Sequence, residues 1–421
     1  MQTNQWVRVA AITAAATLAL TACGSSSKSG GTKSSSGGGL GGGSSSAAAT
    51  GTGSAGATGT SGGGGGASSG SYTIGFQGAL SGDNKQLGIN EINAVDLAVA
   101  QANKAGNLGF TLKVLKSDDA GQPAQSPAAA ATLIQDTSVV GIVGPIFSGP
   151  TQAVGKKYAA ANLGLISPSA TNALLTKSGF TTFHRIVPTD GVEGKATADF
   201  LAKKYKSVFV LDDLSTYGKG VADVVRAELK TKGVKVSSQG VAANTQDYGA
   251  VAQKVQSSNA AAMYYGGYDA AAALLAKALK GVNYKGYEIS GNGAKSSVFE
   301  KNAGTAGNGY YFACGCLDAT AAPAAKSFSA AYTAMFHTPP STYSPEAYDA
   351  TNAMIVAIKA AKAAGSVTRQ TVEAQIGKLD YKGITTTVKF QPNGEVAAAT
   401  VNLYVDKGGK IALLGDIKNQ K

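Results

Sequence analysis

The sequence predicts an α/β protein with two lobes, each built on a parallel β-sheet that helices cover on both faces. Short apolar runs alternate with amphipathic helical stretches from about residue 72 onwards, and the same alternation restarts near Gly191. Residues 72–421 are also too many for one hydrophobic core, because single cores stop growing at about 250–300 residues. We therefore expect two parallel sheets within one chain.

The first series of elements shows the clearest strand. The run at 139–143 has no polar side chain and is followed by Gly144, which is typical of a parallel strand buried on both faces. Residues 91–103 repeat apolar side chains at helical spacing. The predicted strands of this series are 72–76, 110–115, 139–143 and 163–166, and its predicted helices are 91–103 and 123–135.

The second series repeats the pattern and is followed by a different one. Its predicted helices are 192–204, 218–230, 248–257 and 270–280, and its predicted strands are 207–211, 234–241, 260–265 and 284–290. Two long helices at 324–335 and 345–364, a strand at 400–405 and a hairpin at 406–409 complete the chain. This order indicates that the chain crosses between the lobes more than once. We expect the first lobe to hold about 72–189 and 318–392, and the second about 190–317 and 393–421.

Residues 1–22 have the pattern of a signal peptide. Arg8 precedes an uncharged apolar run at 9–20, which is shorter than the roughly 20 residues that span a bilayer. Leu20-Thr21-Ala22-Cys23 then resembles the lipobox of bacterial lipoproteins, in which an acylated cysteine becomes the mature N-terminus. The resemblance implies that Cys23 anchors the protein to a membrane. The alternative is an ordinary secretory signal with a chance cysteine.

Residues 23–71 form the predicted tether. After the cysteine, the segment is almost entirely Gly, Ser, Ala and Thr, with Lys28 and Lys33 as its only charges. Such a chain cannot bury enough apolar surface to offset its conformational entropy. As a flexible coil it would reach roughly 40 Å.

Charge and cysteine content exclude several classes of function. The formal charge is +12, but no basic run is interleaved with aromatic residues, so nucleic-acid binding is not predicted. Cys314 and Cys316 are too few ligands for zinc, and the histidines, His184 and His337, lie apart from them in sequence. We predict no metal and no cofactor. In an oxidising compartment the two cysteines either form a disulfide or stay free, and both alternatives remain open.

The loops that follow the predicted strands carry the candidate ligand-binding residues. Ligands bind at the carboxyl ends of strands in open α/β sheets, so two facing sheets would form a cleft. The hydroxyl and N–H groups of Ser148 and Thr171 suit an anion such as a carboxylate, although either residue could be a plain helix cap. Tyr217 and Tyr268 suit a cation or an apolar group. These loops offer no acid–base pair or activated nucleophile, so no enzyme activity is predicted.

A family resemblance rests on several segments in order. They are Leu80-Ser81-Gly82, 90–105, Asp118-Asp119, Val143-Gly144, 167–172, Tyr217-Gly218-Lys219-Gly220 and 264–268. Together they resemble the leucine/isoleucine/valine-binding family of ABC-transporter receptors. The resemblance implies the type I periplasmic-binding fold, in which two Rossmann-like lobes are joined by a hinge of several crossings. It also implies an extracytoplasmic monomer that closes on a small solute and delivers it to ABC permease subunits. A ligand sensor with a separate signalling partner is the alternative.

The resemblance also implies roles for single residues. Ser148 and Thr171 match positions that bind a ligand α-carboxylate, and Ser169 matches a position whose carbonyl takes the ammonium. The remaining candidates are Ala170 in the same loop, Asp190 near an acidic position at the first crossing, and Tyr217 and Tyr268, which match aromatics of the second lobe.

Two residues depart from the family pattern. Asn292 stands where the family often has a glutamate for the ammonium, and Leu87 stands where it often has an aromatic residue. Loss of a negative charge beside a partly buried ammonium weakens that contact. Asp190 or Asp269 could compensate; otherwise the ligand is a carboxylic acid, an amide or an aromatic acid without an α-ammonium.

Overall fold

The computed structural model describes residues 70–397 and 400–421. The predicted signal peptide, Cys23 and nearly all of the predicted tether lie outside the described residues. Within the described part of the chain, no helix is both long and apolar enough to cross a membrane.

The described chain alternates strands and helices as expected for an α/β protein. The strands are β1 (Ser71–Gly78), β2 (Thr111–Asp118), β3 (Val139–Val143), β4 (Leu165–Ser167), β5 (Phe183–Arg185), β6 (Ser207–Asp212), β7 (Lys235–Gly240), β8 (Ala262–Gly266), β9 (Tyr287–Ser290), β10 (Tyr311–Cys314), β11 (Tyr381–Lys382), β12 (Thr387–Val388), β13 (Asn402–Asp406) and β14 (Ile411–Asp416). The α-helices are α1 (Lys85–Ala105), α2 (Ser126–Gln135), α3 (Ser148–Ala160), α4 (Asp190–Lys204), α5 (Thr216–Thr231), α6 (Gly249–Ser257), α7 (Asp269–Gly281), α8 (Ser297–Ala303), α9 (Lys326–Phe336), α10 (Ser344–Ala363) and α11 (Arg369–Ile376).

The first lobe contains a five-stranded sheet in the order β2-β1-β3-β4-β5. Every pairing in it is parallel. β3 is buried along its whole length, which explains its unbroken apolar sequence. The α/β architecture with parallel strands that the sequence predicted is confirmed.

The second lobe contains a seven-stranded sheet in the order β14-β13-β10-β9-β8-β6-β7. The neighbouring strands among β6, β7, β8, β9 and β10 pair in parallel. In contrast, β13 runs antiparallel to β10, and β14 runs antiparallel to β13. The predicted parallel series is confirmed for β6 to β10, and the C-terminal hairpin adds an antiparallel pair at one edge of the sheet. A tight hairpin joins β13 to β14, and two strands joined this way must be antiparallel.

Helices from the C-terminal part of the chain return to the first lobe. α9, α10 and α11 share one hydrophobic core with α1 and the first sheet, and Ala350, Met354 and Ile358 of α10 are buried in it. Val396 belongs to the same core, so the chain leaves the first lobe only after this residue.

Three segments connect the lobes, and within the described residues the second contacts both the first and β13. The first runs from β5 to α4, the second follows β10, and the third precedes β13. Cys314 and Cys316 are joined by a disulfide in the second segment. A Cβ on Gly315 would overlap the ring of Pro188 in the first, and the hydroxyl of Tyr404 donates to the carbonyl of Cys316 at 2.7 Å.

Arg185, the last residue of β5, is fully buried and holds the segments around it together. Its Nε and Nη2 donate to the two carboxylate oxygens of Glu395 at 2.9 and 2.6 Å. Its Nη1 donates to the backbone carbonyls of Ala170 and Asn172 at 3.0 and 2.8 Å. Although burial opposes it, this guanidinium holds the pKa of Glu395 below its usual value.

Replacing Arg185 should destabilise the protein far more than removing an exposed cation does. We expect Arg185→Met to lower the free energy of unfolding by about 3–5 kcal/mol, because Glu395 and two buried carbonyls lose their partner. Urea unfolding followed by circular dichroism measures this. Lys389→Met is the control, since Lys389 pairs with Asp380 on the exposed surface. If both variants lost the same free energy of unfolding, Arg185 would stabilise the protein no more than a surface cation does.

Candidate functional site

The carboxyl ends of strands from both sheets meet at a small, tight cavity of about 10 Å³, which is the space of roughly one water. Most of its lining residues follow β3, β4, β6, β8 and β9, as the rule for open α/β sheets predicts, whereas Leu87 comes from α1 and Tyr343 precedes α10. All of them except Tyr268 are buried. The lining consists of Leu87, Ile146, Phe147, Ser148, Ser169, Tyr217, Tyr268, Asn292, Gly293 and Tyr343.

Direct contacts between the lobes show that the cleft is closed. The side-chain amide of Asn172 donates to the carbonyl of Thr216 at 2.7 Å. The hydroxyl of Thr342 donates to the carbonyl of Lys295 at 2.7 Å. Both bonds join a residue of the first lobe to one of the second. A solute inside the cavity would therefore be enclosed by both lobes.

The first-lobe wall offers donors for an anion. α3 begins at Ser148, and the preceding Phe147 has no side-chain cap, so the first N–H groups of the helix have no intrahelical partner. The Ser148 hydroxyl oxygen accepts from the backbone N–H of Asn172 at 3.2 Å, and its own proton remains available to a ligand. A helix N-terminus with a hydroxyl beside it suits a carboxylate.

The loop after β4 carries three predicted site residues, but only Ser169 lines the cavity. Its hydroxyl lies 2.9 Å from Glu91 Oε1 and 2.7 Å from the carbonyl of Ile146. The carbonyl of Ala170 faces Arg185 instead of the cavity. Thr171 is buried beside the lining, and its carbonyl accepts from the backbone N–H of Asp190 at 2.9 Å.

Aromatic rings form most of the wall opposite. Tyr268 packs between Phe147 and Tyr217, with ring centroids 4.8 and 5.3 Å apart. This row crosses from one lobe to the other. The Tyr217 hydroxyl accepts from the backbone N–H of Gly293 at 3.0 Å. Leu87, Ile146 and the aromatic row give the cavity an apolar side.

Asn292 lines the cavity, and a residue that sequence reasoning missed holds it in place. Glu193 of α4 is 1 % exposed, and its Oε1 and Oε2 accept from the backbone N–H and the side-chain amide of Asn292 at 3.1 and 2.8 Å. Burial raises the pKa of Glu193 to about 8, and the bonds from Asn292 oppose this shift. In the sequence, Glu193 looks like an ordinary acidic residue in the first turn of a helix.

The two aspartates proposed as compensating charges lie behind the lining. Asp190 is buried, and neither of its carboxylate oxygens has a hydrogen-bond partner among the residues that the structure describes. Burial raises the pKa of Asp190 to about 7. Asp269 accepts from the Ser296 hydroxyl at 2.6 Å and from the Ala270 N–H at 2.8 Å. Asp269 therefore has a structural role at the start of α7, whereas the two carboxylate oxygens of Asp190 remain able to accept a hydrogen bond.

Tyr343 lines the cavity, and the sequence did not indicate it as a site residue. It directly precedes α10 and adopts a left-handed backbone conformation with φ 66°. Glu91 and Glu346 lie near it, and each has one buried carboxylate oxygen without a partner in the described part of the chain. Burial raises the pKa of both groups. The surroundings of the cavity are thus rich in buried acceptors.

Comparison with known proteins identifies the family. The family model described as "Periplasmic binding protein" matches residues 71–410. The chain belongs to the periplasmic binding protein family. This membership implies an extracytoplasmic location and a role as a ligand-binding receptor.

Curated relatives of this periplasmic binding protein carry names of the expected kind. The Leu/Ile/Val-binding protein homolog 3 of Brucella melitensis biotype 1 is 29% identical over 346 residues, covering 80% of this chain and 92% of the relative. The Leu/Ile/Val-binding protein BraC3 of Rhizobium johnstonii is 28% identical over 343 residues, with the same coverage. The resemblance to the leucine/isoleucine/valine-binding family is confirmed.

Solved structures show the same fold. The substrate-binding protein LivJ from Streptococcus pneumoniae, in complex with isoleucine, aligns with a TM-score of 0.75 at 26% identity, covering 82% of this chain and 99% of that one. The leucine-binding protein LivK from Thermotoga maritima aligns with a TM-score of 0.76 at 24% identity, covering 83% and 99%. The predicted type I periplasmic-binding fold is confirmed.

The buried Asp190 should make the stability of the ligand-free protein depend on pH. With its pKa raised to about 7 from the usual 3.8, the folded state binds one proton more than the unfolded state between these values. The free energy of unfolding should therefore fall as pH rises from about 4 to 7. Glu193 and Glu346, whose pKa values are also raised, act with the same sign.

In Asp190→Asn, the decline in stability with pH should be shallower, because this titration is gone. Thermal unfolding of the ligand-free protein at pH 5 and pH 8 measures the difference. Asp83→Asn, at an exposed position, is the control and should keep the wild-type slope. If the stability of Asp190→Asn declined with pH as steeply as that of the wild type, Asp190 would not be a buried group with a raised pKa.

Proposed function

We propose that this protein is the solute receptor of an ABC importer and that it closes on a small apolar amino acid. The observation that carries the proposal is the composition of the closed cavity. It combines a helix N-terminus at Ser148 for a carboxylate, the acceptor Asn292 for an ammonium and an apolar side for a short side chain. These are the three parts of an α-amino acid.

The closed cavity is tight. Its volume of about 10 Å³ is the space of roughly one water and lies far below the roughly 300–1,000 Å³ of pockets for drug-sized ligands, so the lobes must separate to admit even a small solute. Phe147 and Tyr268 occupy the space that a larger side chain would need. Relatives named as Leu/Ile/Val-binding proteins and the isoleucine complex of LivJ support the amino-acid class.

Closure of the hinge then marks the loaded receptor for membrane-bound permease subunits. A tether would raise the local concentration of the receptor near such a partner. Lipidation of Cys23 with the flexible segment after it would supply that tether. The domain would act as a monomer, with one cleft for one solute.

A panel of solutes tests the proposed ligand class. L-alanine, L-valine and L-leucine should raise the melting temperature, because a ligand that binds only the folded state stabilises it. L-phenylalanine and benzoate should raise it less, since the aromatic row limits the space. Differential scanning fluorimetry ranks the panel, and isothermal titration calorimetry gives the affinities. A panel in which no amino acid raises the melting temperature would refute the proposal.

Ser148→Ala should weaken binding of the best amino acid by roughly 5- to 150-fold, because the ligand carboxylate loses one donor worth about 1–3 kcal/mol. Ser257→Ala, at an exposed position on α6, is the matched control and should leave the affinity unchanged. An unchanged affinity in Ser148→Ala would place the carboxylate elsewhere.

Cys23→Ser should release the protein from the membrane, because acyl chains supply stable anchoring. Cell fractionation followed by immunoblotting measures the shift from the membrane pellet to the soluble fraction. Ser27→Ala, four residues further along, is the control. A Cys23→Ser protein that stays in the pellet would contradict the lipid anchor.

A further inference from the structure

We propose that Glu193 is a specificity-determining residue: it fixes the amide of Asn292 so that only the oxygen faces the ligand. The site then selects solutes that present an N–H donor over solutes of the same shape that lack one. The proposal rests on the proposed function and names the feature of the ligand that the second lobe recognises.

The two hydrogen bonds determine the orientation of the amide. An asparagine side chain has a donor end and an acceptor end, whereas Glu193 in its ionised form, in which both oxygens accept as they do here, has no donor. Because Oε1 of Glu193 accepts from the backbone N–H of Asn292 and Oε2 accepts from Nδ2, the acceptor Oδ1 is the end left for the cavity. Within the described residues, Oδ1 has no hydrogen-bond partner of its own.

Close packing around Gly291 fixes the backbone beside Asn292. A Cβ on Gly291 would lie 2.6 Å from the Tyr217 hydroxyl, 2.8 Å from Glu193 Oε1 and 2.9 Å from the Tyr264 hydroxyl. The loop thus lies directly against three polar groups, and only glycine permits this approach. The Gly293 N–H is held by Tyr217 on the other side of Asn292. The backbone of the loop is anchored at both neighbours of the lining residue.

The arrangement discriminates by leaving an acceptor unpaired. An ammonium or amide of the solute donates to Oδ1, and the carboxyl group of Glu193 behind it strengthens the bond in a site without water. A solute with hydrogen or carbon at this place leaves Oδ1 buried without a partner. Sites built for a donor reject analogues that lack it by factors far above those for a missing methylene.

This assignment gives Asn292 a function that differs from that of a glutamate at the same place. A glutamate would place its formal charge directly beside the ligand. Here the acidic group is Glu193 of α4, which contacts Asn292 but does not line the cavity, and the lining residues carry no formal charge. The ligand therefore meets a directed acceptor with an acidic partner behind it.

The experiment compares L-valine with 3-methylbutanoate, its analogue without the amino group, by isothermal titration calorimetry at pH 9, where Glu193, with a pKa of about 8, is ionised. Wild type should bind L-valine at least 100-fold more tightly. In Glu193→Gln, one carboxamide end donates, so Asn292 must turn its oxygen towards residue 193 and its NH₂ towards the cavity. The affinity ratio of L-valine to 3-methylbutanoate should then fall at least 10-fold. Glu228→Gln, on the surface of α5, is the control and should keep the wild-type ratio.

A Glu193→Gln protein that binds both solutes more weakly by the same factor would overturn the assignment, since a merely structural role has that effect. An unchanged ratio would overturn it equally. Wild type that binds no amino acid of the panel would overturn the proposed function itself, so the two failures are distinguishable.

Asn292→Ala provides an independent test in case Glu193→Gln misfolds. It should lower the same ratio by itself, because the acceptor is removed. Adding Glu193→Gln to Asn292→Ala should then change the ratio no further, since the two residues act through one amide. Independent, additive effects in this cycle would overturn the assignment.

Discussion

The guanidinium of Arg185 lies where three parts of the structure meet, and the site depends on it. It ends the last strand of the first sheet, holds two carbonyls of the loop that carries Ser169, and pairs with Glu395 just before the third crossing. A buried charge persists only when its donors are satisfied. Arg185 thus couples the position of the ligand loop to the path of the hinge.

Much of the fold could be predicted because the strands are short apolar runs with clear periodicity. The exceptions have physical causes. β5 consists of Phe183, His184 and Arg185. Its two polar residues look like a loop in the sequence, because the partners that satisfy the buried Arg185 lie elsewhere in the chain. α1 begins six residues earlier than predicted, at Lys85. It contains Gly88, which looks like a helix breaker, but a Cβ there would overlap the carbonyl of Ala79.

The candidate site was predictable where residues follow strands, and less so elsewhere. Ser148, Ser169, Tyr217, Tyr268 and Asn292 all follow a strand and meet at the cavity. Glu193 and Tyr343 come from helix starts near the hinge, where an acidic or aromatic residue has many ordinary explanations. Their proximity to the cavity results from the crossings between lobes, and no local pattern in the sequence encodes it.

The closed cleft also has a kinetic consequence. Since nearly every lining residue is buried, a bound solute has no way out while the bonds from Asn172 to Thr216 and from Thr342 to Lys295 hold. The residence time is then limited by how often the lobes separate, and contacts to the solute act mainly by making separation rarer. A permease that pulls the lobes apart would empty the site by breaking bonds that never touch the cargo.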